Sequence, residues 1–273
     1  MYQVERTNED VLTLRHEDIK AGWEQRYLLI SDVHYDSPHC DRKLLTRHLT
    51  QAKDRGAGVL VFGDWFDAMG GRNDKRGSKS GILPDNSRDN YLDTLVELSG
   101  DYLDQYASNL VMMSDGNHET AITRHNETDL LGRLCRSLDV HHMGYSGFIR
   151  MAFNGGKNST KHLYFHHGNG GGGSVTRGMS WFQRLLAEVK ADIYVKGHIH
   201  ESWTAEAIVE ECSERGVRYQ SCKTGIQLPT YKRSGKWEEE KGMPSKPLGG
   251  YWLIFQWDMD AIGRVGYRVE RTN

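Results

Sequence analysis

Cysteine and proline are scarce in this sequence, with four and five residues among 273. Cys40, Cys135, Cys212 and Cys222 form no C-x-x-C pair and are too scattered for a disulfide framework, which points to a reducing compartment and ordinary packing roles. They also exclude a structural zinc protein, whose closed site would be dominated by cysteine. Long apolar runs are missing, so no membrane span is expected. The stretch from Met1 to Gly22 is studded with Glu, Asp, Arg and Lys where a signal peptide needs an apolar core, so the expected location is cytoplasmic. Nor is there a charge excess. Thirty-five basic against 37 acidic residues leave a net charge of −2, which excludes reliance on whole-surface attraction to nucleic acid but not a local basic patch. What remains is the composition of an ordinary globular chain without internal repeats, read as one domain over 1–273.

Short apolar runs alternate with helical patterns through the first two thirds, as expected where crossover helices cover a largely parallel sheet. Tyr27 to Ile30, Val59 to Phe62, Leu110 to Met113, Leu163 to Phe165 and Ile193 to Val195 read as buried strands. Helical spacing links Leu44, Leu45, His48, Leu49 and Ala52, then Tyr91 through Tyr106; Ile122 to Leu138 and Trp181 to Val189 supply two more helices. After His200 the texture turns β-rich, at Val217 to Cys222, Tyr251 to Trp257 and Val265 to Val269. Three polar, glycine-bearing segments interrupt the pattern: Gly70 to Asn90, Gly168 to Gly178 and Leu228 to Gly250, the last expected to run over the surface.

The informative residues stand just behind the strands. Asp32 and His34 follow the first, Asp64 and Asp67 the second, Asn117, His118 and Glu119 the third, His166 and His167 the fourth, and His198 and His200 the fifth. Carboxyl ends of strands in an α/β sheet converge on one crevice, so these side chains are expected to become neighbours. Carboxylates and imidazoles gathered together call for a compensating cation, and mixed Asp, His and Asn ligands suit first-row divalent metals. More ligands are present than one ion takes, which favours two ions with Asp64 between them.

Each fragment alone has an ordinary reading. A D-x-H sequence arises by chance, Asp32 suits a turn or helix cap, Gly116-Asn117 suits a turn, and His198 with His200 suits a half-exposed strand. Order and context separate them from chance, because every fragment follows an apolar strand. His16, His39, His48, His125, His141, His142 and His162 lack that setting and are read as surface or core residues.

Taken as an ordered set, D-x-H at Asp32 to His34, G-D-x-x-D at Gly63 to Asp67, G-N-H-E at Gly116 to Glu119, H-G at His167 to Gly168 and G-H-x-H at Gly197 to His200 resemble the signature blocks of the calcineurin-like metallophosphoesterases. The resemblance spans roughly Arg26 to His200 and implies an α/β, four-layer αββα sandwich with the metal site at the strand C-terminal ends. It implies Asp32, His34 and His200 on one divalent ion, Asn117, His167 and His198 on a second, and Asp64 bridging. Manganese is the first expectation, with zinc, iron, nickel and cobalt also accepted by such ligands. The block's histidine precedes a glycine, which selects His167, and strand alternation sends His166 to the opposite face. His118 resembles the histidine that approaches the scissile phosphate, and Asp67 the carboxylate that orients its neighbours.

The implied activity is hydrolysis of a phosphate ester, in the phosphodiesterase and repair-nuclease-like branch, on a nucleotide or nucleic acid. A phosphomonoesterase acting on a nucleotide, metabolite or phosphoprotein, and a non-catalytic scaffold, are the competing readings. Asn117 and Arg177 are the expected substrate contacts, and Arg72, Lys75, Arg76 and Lys79 border the same cleft. No membrane partner is expected, and oligomeric state is not legible.

Overall fold

The structure is a computed structural model that describes residues 2–68, 82–86, 88–155, 158–171, 173, 175–235, 239–261 and 265–273. Arg72, Lys75, Arg76 and Lys79 lie outside the described residues.

Two sheets carry the chain. The first has six strands: β3 (Glu24–Ile30), β4 (Gly58–Phe62), β5 (Leu110–Ser114) and β6 (His141–Met143) run parallel, and β12 (Tyr251–Trp257) and β13 (Val265–Arg271) extend it antiparallel in the order β13-β12-β3-β4-β5-β6. The second has seven: β1 (Tyr2–Asn8), β2 (Val11–His16), β7 (Ser146–Phe153), β8 (Ser159–His166), β9 (Ile193–Lys196), β10 (Trp203–Cys212) and β11 (Arg218–Gln227), in the order β1-β2-β7-β8-β9-β11-β10. It is mixed, with β8, β9 and β11 parallel and an antiparallel hairpin at each edge.

Strand alternation builds the layers. In β3, Tyr27 and Leu29 face the second sheet while Leu28 and Ile30 face helices; in β4, Leu60 and Phe62 face the sheet while Val59 and Val61 face helices. Leu163 and Phe165 of β8 and Ile193 and Val195 of β9 fill the same inter-sheet core from the other side. Each such side chain removed from water contributes about 1.5–3 kcal/mol. Helices α1 (Arg42–Asp54), α2 (Tyr91–Leu103), α3 (Asn117–Asn126) and α4 (Leu130–Leu138) cover the six-stranded sheet, and α5 (Ser180–Glu188) covers the seven-stranded one through Trp181 and Phe182 on Tyr194. The architecture is a four-layer αββα sandwich.

Three expectations need correction. The largely parallel sheet expected from the alternation of strands and helices is divided between two sheets, as the resemblance implied, with β8 and β9 in the second. The helix expected over Ile122 to Leu138 is two, because Glu127 turns left-handed (φ 52°) and Asp129 starts α4 by accepting from the Gly132 N–H at 2.8 Å. The segment from Leu228 does not begin on the surface: Leu228, Thr230 and Tyr231 are fully buried, and the Tyr231 hydroxyl lies 2.8 Å from His48 Nδ1. No described helix is long and apolar enough to cross a membrane.

Candidate metal centre

Three of the five blocks leave the six-stranded sheet, behind β3, β4 and β5, and two leave the seven-stranded sheet, behind β8 and β9. The crevice therefore lies where the carboxyl ends of two facing sheets meet. Beyond the strands the loops keep pairing: Asp32 N donates to Gly63 O (3.0 Å), His34 N to Asp64 O (3.0 Å) and Gly197 N to His167 O (3.0 Å). Those bonds fix the blocks relative to one another before any side chain is considered.

Asp32, His34 and His200 form one group. His200 Nε2 lies 3.2 Å from Asp32 Oδ1 and 3.3 Å from His34 Nε2. Asp64, His167 and His198 form a second, with His167 Nε2 3.2 Å from Asp64 Oδ2. Asn117 Oδ1 joins it, 3.2 Å from His167 Nε2 and 2.6 Å from His198 Nδ1. Asp64 also falls in a third group with His34 and His118, so its carboxylate stands between the first two.

Acceptors face acceptors here. His167 Nδ1 donates to Phe62 O at 2.9 Å, which leaves Nε2 turned toward the oxygens of Asp64 and Asn117. Two imidazole nitrogens 3.3 Å apart share at most one proton, and Asp32 and Asp64 are almost wholly buried beside them. Burial alone would raise the Asp64 pKa, but His167 above all holds it well below the usual carboxylate range. Burial lowers His167, yet Asp64 and Asp32 carry it up to about 10. A divalent cation answers the same carboxylates without that proton, and the oxygen and nitrogen donors fit one. Burial outweighs Asp67 at His34 and takes its pKa down to about 4, so this imidazole is neutral, the form that ligates.

The backbone is strained at the same place. Asp32, His34, Asp64, His198 and His200 all have φ between 47° and 72°, the left-handed region that non-glycine residues avoid at a cost of about 1–2 kcal/mol each. Five such residues within one cluster mark a constellation held for function rather than stability.

His118 opens α3. Its Nδ1 donates to the main-chain oxygen of Asp67 at 2.6 Å, and its Nε2 stands 4.0 Å from Asp64 Oδ2. Oδ1 of the Asp67 carboxylate lies 2.9 Å from His34 Nδ1, 2.8 Å from Lys232 Nζ and 3.7 Å from His118 Nδ1. Arg177 is exposed, with φ 44° and its guanidinium 3.7 Å from Glu201.

Several supporting residues escaped sequence reasoning. Glu119, read only as the last letter of its block, accepts from the N–H groups of Asp64 (3.1 Å), Phe66 (2.9 Å) and Gly116 (2.9 Å), tying the second and third blocks together. Asp36 accepts from Asp67 N (2.6 Å) and Ala68 N (2.9 Å); its place two residues after His34 was the available signal. Ser31 donates to Asp32 Oδ2 at 2.6 Å. Thr230 Oγ1 and Tyr231 N both donate to Asp32 O, and nothing in their surrounding sequence announces it. A separate group joins His142 Nε2 to Asp115 Oδ1 at 2.8 Å, with Asp129 3.9 Å away and half exposed; it ties β6 to the loop behind β5.

No family model matches the sequence, and no curated protein matches it either. Among solved structures, vacuolar protein sorting 29 from Cryptosporidium parvum is similar over 92% of this chain and 98% of its own, at 14% identity and TM-score 0.43. Wild-type Vps29 complexed with zinc from Entamoeba histolytica covers 91% of this chain and 100% of its own (13%, 0.38). A conserved protein from Streptococcus pneumoniae, described as a predicted phosphoesterase, covers 92% and 100% (10%, 0.33). At such identities and scores, the site rests on this chain's own side chains.

Proposed function

We propose that the protein hydrolyses phosphodiesters of the nucleotide or nucleic-acid type with two divalent metal ions. The observation that carries this is the pair of ligand groups with Asp64 between them. Asp32, His34 and His200 would hold one ion, Asn117, His167 and His198 the other, and Asp64 both. Manganese is the first choice, with zinc, iron, nickel or cobalt compatible with the same donors. Ions held there supply positive charge that screens the phosphate and acidifies a water molecule.

The chain's residues do the rest. His118, fixed through Nδ1 on the Asp67 carbonyl, presents Nε2 on the Asp64 side of the cleft, where it can hand a proton to the departing oxygen. Asp67 places a carboxylate oxygen 2.9 Å from Nδ1 of His34, on the side away from His200, and would hold Nε2 turned to His200. Asn117 would lend its carbonyl oxygen to an ion, and its amide nitrogen could then donate to a phosphate oxygen. The diester is preferred on charge: among the described residues, Lys232 beside the ligand groups is already matched by Asp67, which suits the single charge of a diester.

The test is a panel on protein stripped of metal and reloaded with each ion, comparing bis-p-nitrophenyl phosphate, p-nitrophenyl phosphate, cyclic nucleotides, and single- and double-stranded DNA. Faster turnover of the monoester overturns the diester assignment. Failure to bind divalent ions by calorimetry, together with no hydrolysis, leaves a scaffold and ends the enzymatic reading.

A further inference from the structure

Beside the proposed centre lies a second basin of positive charge. In β9, Ile193 and Val195 enter the inter-sheet core, which sends Tyr194 and Lys196 to the opposite face, under α5. Lys196 is 8% exposed, and its ammonium sits 5.8 Å from the centroid of the Trp181 ring. It lines a cavity of about 360 Å³ together with Arg184 and Ser180, one helical turn apart on α5, and residues of the 168–178 loop. That volume falls within the roughly 300–1,000 Å³ of small-molecule sites. His166 stands opposite Lys196 in register on β8 and so adds a third basic side chain to this face.

Among the described residues no carboxylate lines the cavity, and neither Lys196 nor Arg184 makes an ion pair. Other cations nearby are matched: Lys232 with Asp67, Arg177 and Lys246 with Glu201, Lys223 with Asp192 and Glu211. The first turn of α5 has no acidic residue and no side-chain cap, so its positive end faces the same space uncompensated. Lys196 is buried along its length, its ammonium rests over the Trp181 ring, and no carboxylate pairs with it among the described residues, so an anion entering the cavity would meet an unmatched cation.

The cavity shares a wall with the metal centre. Gly168 directly follows His167, and a Cβ added there would fall 2.6 Å from Lys196 Cε and 2.8 Å from His198 Cβ. One glycine thus separates Lys196 from a proposed ligand.

We propose that this cavity receives a second phosphate of the substrate, next to the one at the metal centre, as in an oligonucleotide. The inference rests on the phosphodiesterase reading and narrows its substrate to diesters flanked by a further phosphate.

Two measurements test it. In the first, metal-free protein is titrated with pyrophosphate by calorimetry. The wild type binds, and Lys196→Met weakens binding about tenfold, the loss expected for one charge-assisted bond. Equal binding by both, or none by the wild type, overturns the site. In the second, metal-loaded protein hydrolyses dithymidine phosphates with no terminal phosphate, a 5′-phosphate or a 3′-phosphate. Lys196→Met raises KM about tenfold for one phosphorylated form relative to the unphosphorylated one. Arg184→Gln, on α5 rather than on the strand that leads to a proposed ligand, repeats the pattern, and metal content is unchanged in both. Equal changes for all three substrates, or none, overturn the proposal. If wild-type protein binds pyrophosphate yet cleaves no ester, the phosphodiesterase reading itself has failed, and the cavity's role toward substrate fails with it.

Discussion

Asp67 Oδ1 lies 2.9 Å from His34 Nδ1, on the ring nitrogen opposite the one that faces His200. A carboxylate in this position fixes the orientation of the imidazole and raises its basicity as a ligand. Asp67→Asn keeps the shape and removes the charge. The expected result is a fall of about 10–100-fold in affinity for one ion, the one on the Asp32, His34 and His200 side, with the other held as before. Two-site calorimetric titration distinguishes the sites, and equal weakening of both would show that Asp67 does not act through His34.

Asp64 and His118 are expected to separate metal binding from proton transfer. Asp64→Asn removes the charge between the two groups, so both ions and turnover are lost. His118→Asn leaves the ligand groups intact and lowers kcat by about a hundred- to ten-thousand-fold on esters with alkyl leaving groups. Because p-nitrophenolate leaves without a proton, the same variant loses far less on nitrophenyl esters. Metal analysis beside kinetics on both ester types provides the check. Full activity of His118→Asn on an alkyl ester would rule out the donor role.

The candidate positions are legible because β3, β4, β5 and β9 contain runs apolar on both faces, which declare themselves in sequence, while β8 offers only Leu163 and Phe165 as buried residues. Val59 to Phe62 shows why: alternate residues enter two different cores, so the whole run is hydrophobic. What that pattern cannot say is which sheet a strand joins, so the membership of β8 and β9 is not legible in it. The N-terminal hairpin went unread because β1 is exposed along most of its length and carries Glu and Arg, leaving little apolar periodicity to detect. Helices α3 and α4 were merged because the apolar spacing continues across Glu127, whose left-handed turn is a local event. Glu119, Asp36 and Thr230 bind backbone groups across long sequence separations, and no spacing rule encodes those distances.

Gly116 offers a steric test of the loop packing. Its φ of −112° suits any residue, so only space demands glycine: a Cβ would lie 2.1 Å from Asp64 Oδ1 and 2.3 Å from Asp64 N. Gly116→Ala must displace the loop that carries Asp64, at a cost of about 1–3 kcal/mol, and divalent-ion affinity falls with it. Gly56 is the converse case, with φ +60° and nothing within 4 Å. Gly56→Ala costs about 1–2 kcal/mol of left-handed strain and leaves ion binding untouched. Urea denaturation and calorimetry on the two variants decide, and parallel loss of ion affinity in both would refute the packing argument.

His16 supplies a pH dependence away from the metal centre. The ring is buried between Tyr27, whose hydroxyl lies 2.7 Å from Nε2, and Ala152 O, 3.0 Å from Nδ1, and it stacks on Phe153 at 4.8 Å. Burial lowers its pKa from 6.5 to about 4, outweighing the hydrogen bond to Ala152. Between those values the unfolded chain binds a proton that the folded chain refuses, so stability falls as the pH drops from 6.5 toward 4. At pH 5 this residue should cost about 2 kcal/mol relative to pH 7.5. His16→Gln keeps an acceptor for Tyr27 and cannot titrate in this range. Its metal-free form should lose about 2 kcal/mol less than the wild type between pH 7.5 and 5 in urea melts, and identical pH slopes would mean that His16 is already protonated within the fold.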